Sequence, residues 1–268
     1  MSTDNRTYLD HVFGLQGRTA LVTGASGGIG RALAVGLAGA GAVVGLHGRR
    51  ADELAETRKQ VEAVGGRAVE LPAELNDDAA CRRLVADARA ALGGRLDVLV
   101  NNAGMNRRKP IEQVPADDFE TILNVNLRAP YVLSQAAHPV MREQGGGKIV
   151  HVASLTTFIG LGGTSVYGAT KAAIAQLAKT QAVEWAKDNV QVNCLAPGFI
   201  RTPLTEQSVW GDDRRRAWLL GRIPAKRGGT PEDMVAAVLL MASPGSAYLT
   251  GQTIAVDGGV LAGGSWDD

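Results

Sequence analysis

Thr23-Gly24-Ala25-Ser26-Gly27-Gly28-Ile29-Gly30 follows the apolar run Thr19-Ala20-Leu21-Val22 and opens the helix-forming stretch Arg31 to Ala40. A buried strand, a glycine turn and a helix start, in that order, form the first unit of an open α/β sheet. Such a turn lets backbone N–H groups approach a dinucleotide pyrophosphate, while the helix N-terminus supplies partial positive charge. The glycines at 24, 28 and 30 give a G-x-x-x-G-x-G spacing, a variant of the commoner fingerprint, with Ser26 and Ile29 as further expected contacts. Glycine-rich turns also serve plain packing, so the remainder of the chain has to decide.

Outward from this turn, short apolar runs alternate with amphipathic stretches. Strands are predicted at Thr19–Val22, Ala42–Leu46, Ala68–Leu71, Val98–Val100, Lys148–Val152, Gln191–Leu195 and Thr253–Val256. Helices are predicted at Ile29–Gly39, Ala51–Val64, Asp77–Ala91, Phe119–Arg142, Tyr167–Lys187 and Pro231–Ala242. The alternation implies an α/β fold: one Rossmann-type domain over residues 1–268, its seven-stranded parallel sheet doubly wound with helices on both faces. Only 199–229 breaks the pattern, where Pro203, Trp210, Trp218 and Pro224 interrupt any single period. An insertion there, after the sixth strand, is expected to form a lid over the crevice.

Composition excludes several classes of function. With 28 basic and 27 acidic residues the formal net charge is +1, without the basic excess of nucleic-acid binders, and Arg214-Arg215-Arg216 reads as a solvated helix face. Cys81 and Cys194 lie far apart and carry no metal-ligand spacing, so neither a disulfide framework nor a metal site is expected. The polar start Met1–Asn5 lacks a signal pattern and no apolar run reaches spanning length. These features predict a soluble cytoplasmic protein that binds neither membrane nor nucleic acid.

Chemistry-bearing residues recur at the carboxyl ends of predicted strands. Asn101-Asn102-Ala103-Gly104 follows the fourth strand, Ser154 follows the fifth, and Tyr167-Gly168-Ala169-Thr170-Lys171 opens the next helix. In an open α/β sheet the ligand crevice lies at those ends, so the residues converge in space. Tyr167 and Lys171 are four apart and share a helix face. A lysine ammonium beside the phenol, together with an oxidised nicotinamide, favours phenolate and lowers the tyrosine pKa toward the range of a general acid/base. Ser154 is placed to hydrogen-bond a substrate oxygen.

Together and in this order, the glycine turn, Asn-Asn-Ala-Gly, the serine and the Tyr-x-x-x-Lys pair resemble the short-chain dehydrogenase/reductase superfamily from about Leu15 to Gly259. The resemblance implies a catalytic set of Asn126, Ser154, Tyr167 and Lys171, the asparagine holding a water that links the lysine to solvent. It implies cofactor contacts from Asn102, Ala103 and Gly104, and from Pro197, Gly198, Ile200 and Thr202 near the nicotinamide carboxamide. Tyr167 and Lys171 count among those contacts too. Val256-Asp257-Gly258-Gly259 resembles the family's C-terminal strand motif, which serves subunit contact, so a homotetramer or a dimer is expected.

The end of the second strand reads His47-Gly48-Arg49-Arg50. NAD enzymes place an acidic side chain there for the ribose hydroxyls, whereas a 2′-phosphate needs cations, so Gly48 followed by Arg49 favours NADP, with NAD still open. Glu74-Leu75 stands where the family has Asp and an aliphatic residue beside the adenine. Asn106-Arg107-Arg108, Glu184-Trp185-Ala186-Lys187 and Arg222-Ile223-Pro224-Ala225 look like the gluconate 5-dehydrogenase and 2-deoxy-gluconate 3-dehydrogenase branch, which interconverts a hydroxyl and a ketone on a sugar acid. Arg107 and Arg108 are candidates to grip such a carboxylate. The same core also resembles 3-oxoacyl-carrier-protein reductases, and a catalytically silent NADP-binding protein is the alternative from another class.

Overall fold

The computed structural model describes residues 5–264. Helix α1 (Asn5–Phe13) leads into β1 (Thr19–Thr23), α2 (Gly28–Gly39), β2 (Val43–Gly48), α3 (Ala51–Ala63), β3 (Arg67–Pro72), α4 (Asp78–Ala91) and β4 (Val98–Asn101). The second half runs α5 (Ala116–Leu123), α6 (Ala129–Glu143), β5 (Gly147–Val152), α7 (Ser165–Trp185), β6 (Val190–Pro197), α8 (Pro203–Thr205), α9 (Asp213–Leu220), α10 (Val235–Ala242) and β7 (Thr253–Val256). All seven strands are parallel, in the order β3-β2-β1-β4-β5-β6-β7. The order reverses between β1 and β4, and this switch point opens a crevice at their carboxyl ends.

β1, β4 and β6 are buried throughout, which explains their near-continuous apolar runs. Alternate side chains go to opposite faces of the sheet. Leu21, Leu99 and Ile149 pack with Leu84, Leu133 and Ile174 from α4, α6 and α7, while Ala20, Val22 and Val100 pack with Leu33, Leu37, Val238 and Met241 from α2 and α10. Both faces are thereby covered, and the sheet edge that carries the glycine turn is held between two dry layers.

The structure departs from the expected elements at several places. The helix predicted over Phe119–Arg142 runs from Ala116 to Glu143 but contains a wider π-type turn at Asn124–Arg128, where the Ala129 N–H reaches back to the Asn124 carbonyl. Pro130 has no N–H to donate to the Asn126 carbonyl four residues earlier, so an ordinary α-helical turn cannot close there. The segment 199–229 is structured as well: α8, a second π-type turn at Glu206–Trp210 and α9 enclose a small cluster of Val209, Trp210, Leu219 and Ile223. Finally, Pro231–Met234 forms a 3₁₀ turn ahead of α10, and α1 occupies a stretch for which no element was expected.

The turn between β1 and α2 makes the sharpest demand on sequence. A Cβ added at Gly30 would overlap the Gly24 carbonyl oxygen and the Asn102 side-chain amide, whereas one added at Gly27 meets nothing within 4 Å. Gly27 is also extended, at φ 169°, a conformation open to any residue. Gly30→Ala is therefore expected to lose at least about 1–3 kcal/mol, the usual cost of overpacking, while Gly27→Ala should stay within about 0.5 kcal/mol of the parent. Urea unfolding of the two variants checks this, and equal losses would refute it.

Candidate active site

The glycine turn and the loop after β6 face each other across the crevice. Gly24 and Gly28 take φ values of +68° and +52°, and a side chain on Gly28 would point at Thr202, whose Cγ2 lies 3.5 Å from the added Cβ. Filling that space would close the gap where a pyrophosphate has to lie. Arg31 pins the turn from behind, donating to the Ser26 carbonyl at 3.0 Å and to the Glu53 carboxylate at 2.6 Å. Ile29 packs against the core on the α2 side, and Ile200 is buried and bridges to Gly229. Gly198 follows Pro197 and is fixed by its N–H to the Val256 carbonyl at 3.0 Å, with no room for a side chain against Asp257.

Asn102 joins the two sides of the switch point. Its amide donates to the Thr23 and Gly24 carbonyls at 2.9 and 3.2 Å, and the Thr23 hydroxyl accepts from the N–H groups of Asn102 and Ala103, both at 3.0 Å. Gly104 then passes beside Asn126 and Lys171. A Cβ built on it would lie 3.4 Å from Asn126 Oδ1 and 3.5 Å from Lys171 Nζ.

Ser154, Tyr167, Lys171 and Asn126 come together as expected. Ser154 caps a short turn by accepting from the Thr156 N–H at 3.2 Å and hydrogen-bonds the Tyr167 phenol oxygen. The Lys171 ammonium donates to the Val152 carbonyl at 2.6 Å and lies 5.6 Å from the centre of the Tyr167 ring. The Asn126 side chain pairs with both backbone groups of Met105, at 2.8 and 2.9 Å. This amide pair consumes the side chain.

The electrostatics differ from the sequence expectation in one respect. Burial raises the Tyr167 pKa above its ordinary value, opposed by the Ser154 hydrogen bond and by the positive charge of Arg108. Burial also holds Lys171 down to about 8. In the protein alone the lysine therefore does not by itself bring the phenol into working range; its ammonium is turned to Val152.

At the adenosine end, Gly48 packs against Ser26 and Leu54, with 3.1 Å from an added Cβ to each, so an acidic side chain here would crowd the turn. Arg49 is exposed and, among the described residues, has no acidic partner. Glu74 is exposed and Leu75 half-buried against the core. Buried His47 ties this corner together through Nε2 to the Ala73 carbonyl at 3.2 Å, and burial lowers its pKa to about 4, so it is neutral. The open turn, the tight Gly48 contact and the unmatched guanidinium fit a dinucleotide with a 2′-phosphate.

The structure divides the expected arginine pair. Arg107 is bound to Oδ1 of Asp118, whose other oxygen accepts from Lys109 at 2.6 Å. Arg107 thus already has an acidic partner. Arg108 has none among the described residues; it is exposed and close enough to Tyr167 for its charge to act there. Sequence reasoning also missed Thr23, Arg31 and a buried chain in which neutral His151 bonds Gln181 at 2.9 Å and Asn101 at 3.2 Å. The last was legible only as a histidine near the end of β5.

Residues 24–261 match a family model described as enoyl-(acyl carrier protein) reductase. A tropinone reductase homolog of Arabidopsis thaliana is 38% identical over 98% of this chain and 97% of its own length. The 2-dehydro-3-deoxy-D-gluconate 5-dehydrogenase of Escherichia coli strain K12 is 40% identical over 93% of this chain and 98% of its own. The crystal structure of a gluconate 5-dehydrogenase from Burkholderia cenocepacia J2315, in complex with NADP and tartrate, superposes with a TM-score of 0.89 at 34% identity, covering 94% of this chain and 98% of that one. The chain belongs to the short-chain dehydrogenase/reductase superfamily and is an NAD(P)-dependent oxidoreductase acting on CH–OH groups.

Proposed function

We propose that this enzyme uses NADP(H) to interconvert a secondary hydroxyl and a ketone on a sugar acid of the gluconate/5-ketogluconate kind. The observation that carries the substrate class is Arg108, an exposed guanidinium at the crevice with no acidic partner among the described residues and with its charge felt at Tyr167. A carboxylate that met this group would gain a charge-assisted hydrogen bond, and the neighbouring hydroxyl would then lie toward Ser154 and Tyr167. The sugar-acid relatives at about this level of identity support the same class.

A bound nicotinamide supplies the hydride chemistry; the chain's own residues handle the proton. Tyr167 passes a proton to or from the substrate oxygen, and Ser154 holds that oxygen. Lys171 holds the nicotinamide ribose and favours the phenolate, and Asn126 keeps a water that connects the lysine to solvent. Gly24, Ser26, Gly28, Ile29 and Gly30 cradle the pyrophosphate, Arg49 meets the 2′-phosphate, and Glu74 with Leu75 flanks the adenine. Asn102, Ala103, Gly104, Pro197, Gly198, Ile200 and Thr202 line the nicotinamide half, with 199–229 as the lid. The half-covered edge strand β7 suits assembly as a homotetramer. Two buried free thiols suit the cytoplasm.

Tyr167→Phe is expected to remove nearly all turnover and to leave NADPH affinity within about a few-fold, because the ring still packs while the proton donor is lost. Steady-state kinetics with cofactor titration decides it, and substantial residual turnover would end the acid/base assignment. Arg49→Ala is expected to weaken NADPH by about 1–3 kcal/mol, the range for a hydrogen bond to a charged group, with little change for NADH. Equal losses for both cofactors would show that Arg49 does not read the 2′-phosphate.

The substrate class is tested by assaying aldonates, matched uncharged polyols, cyclic ketones and acetoacetyl thioesters in both directions. Arg108→Ala should raise KM for an active aldonate far more than for the polyol, and Arg107→Ala should discriminate less. Brisk reduction of acetoacetyl thioesters with no aldonate turnover would transfer the assignment to the 3-oxoacyl-carrier-protein reductases.

A further inference from the structure

Three cations, Arg107-Arg108-Lys109, follow one another in the segment between β4 and α5, and no helix or strand contains them. Arg107 and Lys109 meet the same carboxylate: Asp118 in the first turn of α5, its side chain only 7% exposed, takes Arg107 on Oδ1 and Lys109 on Oδ2. Arg108 between them has no acidic partner among the described residues. Its Cβ lies 4.0 Å from a Cβ built on Gly163, in the loop that leads into α7, the helix that carries Tyr167. The segment is thus held between α5 and the loop before α7.

We propose that Asp118 is a positioning residue for substrate charge: by binding the two flanking cations it leaves Arg108 alone at the crevice and sets where a substrate carboxylate is received. Two like charges next to an anion site would otherwise offer several competing poses. A buried carboxylate between two cations fixes the backbone of 107–109, so that one guanidinium, at one place relative to Tyr167, meets the substrate. Both cations in turn hold the Asp118 carboxyl below its ordinary pKa, which keeps it charged throughout the working range. The ligand class is a small polyhydroxy or keto carboxylate. This inference rests on Arg108 being the carboxylate contact, as proposed above.

The test is a double-mutant cycle read with two substrates, an active aldonate and a polyol of matched length. Asp118→Asn keeps the volume and one acceptor; it is expected to raise KM for the aldonate at least about tenfold, with the polyol KM, both kcat values and NADPH affinity near those of the parent. Arg108→Gln alone should give a similar selective loss, and the double variant should be no worse than Arg108→Gln, because Asp118 acts through that residue. Asp118→Glu, which keeps the charge, should restore part of the aldonate KM. If Asp118→Asn fails to fold, Arg107→Gln/Lys109→Gln approaches from the other side: Asp118 is then released to recruit Arg108, and aldonate binding should again fall selectively. Equal damage to both substrates, or losses that add to those of Arg108→Gln, would overturn the role of Asp118. An unchanged aldonate KM in Arg108→Gln would instead overturn the carboxylate contact itself.

Discussion

Nothing larger than hydrogen fits on Gly30, and the position of the whole crevice follows from that contact. The Gly24 carbonyl and the Asn102 amide both occupy the space where a side chain would stand, so α2 starts directly against the ends of β1 and β4. The same amide bonds the Thr23 and Gly24 carbonyls, and the Thr23 hydroxyl accepts from the chain leaving β4. One close approach therefore sets three things together: the direction of the α2 N-terminus, the separation of the two strands at the switch point, and the path of Ala103 and Gly104. Gly104 in turn runs beside Asn126 and Lys171. A shift at residue 30 would propagate to the proton-handling group through rigid contacts, which is how a packed core transmits strain.

The electrostatic arrangement is one of opposed burials. Tyr167 and Lys171 are both taken out of water, and burial disfavours the charged form of each, raising one pKa and lowering the other. An ion pair formed from such groups has no large driving force of its own. The balance is then set by what surrounds it: the Ser154 hydrogen bond, the Arg108 charge and the cationic ring of an oxidised nicotinamide all act in favour of phenolate.

Much of this was legible in the chain, for reasons that are local. Glycines at 24, 28 and 30 are dictated by backbone sterics within eight residues, and the four-residue spacing of Tyr167 and Lys171 is a helix period. The parallel sheet follows from alternation, because parallel strands need helical crossovers. The π-type turn at Asn126 was missed although Pro130 announces it; the apolar period runs unbroken across the interruption and hides it. The division of Arg107 from Arg108 was not legible at all. Asp118 lies in another element, and only the fold reveals that its carboxylate takes Arg107 and Lys109. Arg31 was likewise invisible as a support of the turn, because its partner Glu53 is 22 positions away.

A chain with near-balanced charge can still present strongly positive points if its carboxylates are spent selectively. Asp97 takes Arg18 and Arg95, Glu53 takes Arg31, Asp78 takes Arg128, and Asp118 takes Arg107 and Lys109. Arg49 at one end of the crevice and Arg108 at the other are left without an acid among the described residues. Unmatched guanidinium groups in solvent cost little when they have no ligand and gain most when an anion arrives, since no existing ion pair has to be broken first. Selectivity for an anion at each end thus depends less on adding cations than on which ones the acidic residues leave unpaired. On this argument Asp118 withdraws two competing cations at the proposed substrate end, and Gly48 withholds a competing carboxylate at the cofactor end.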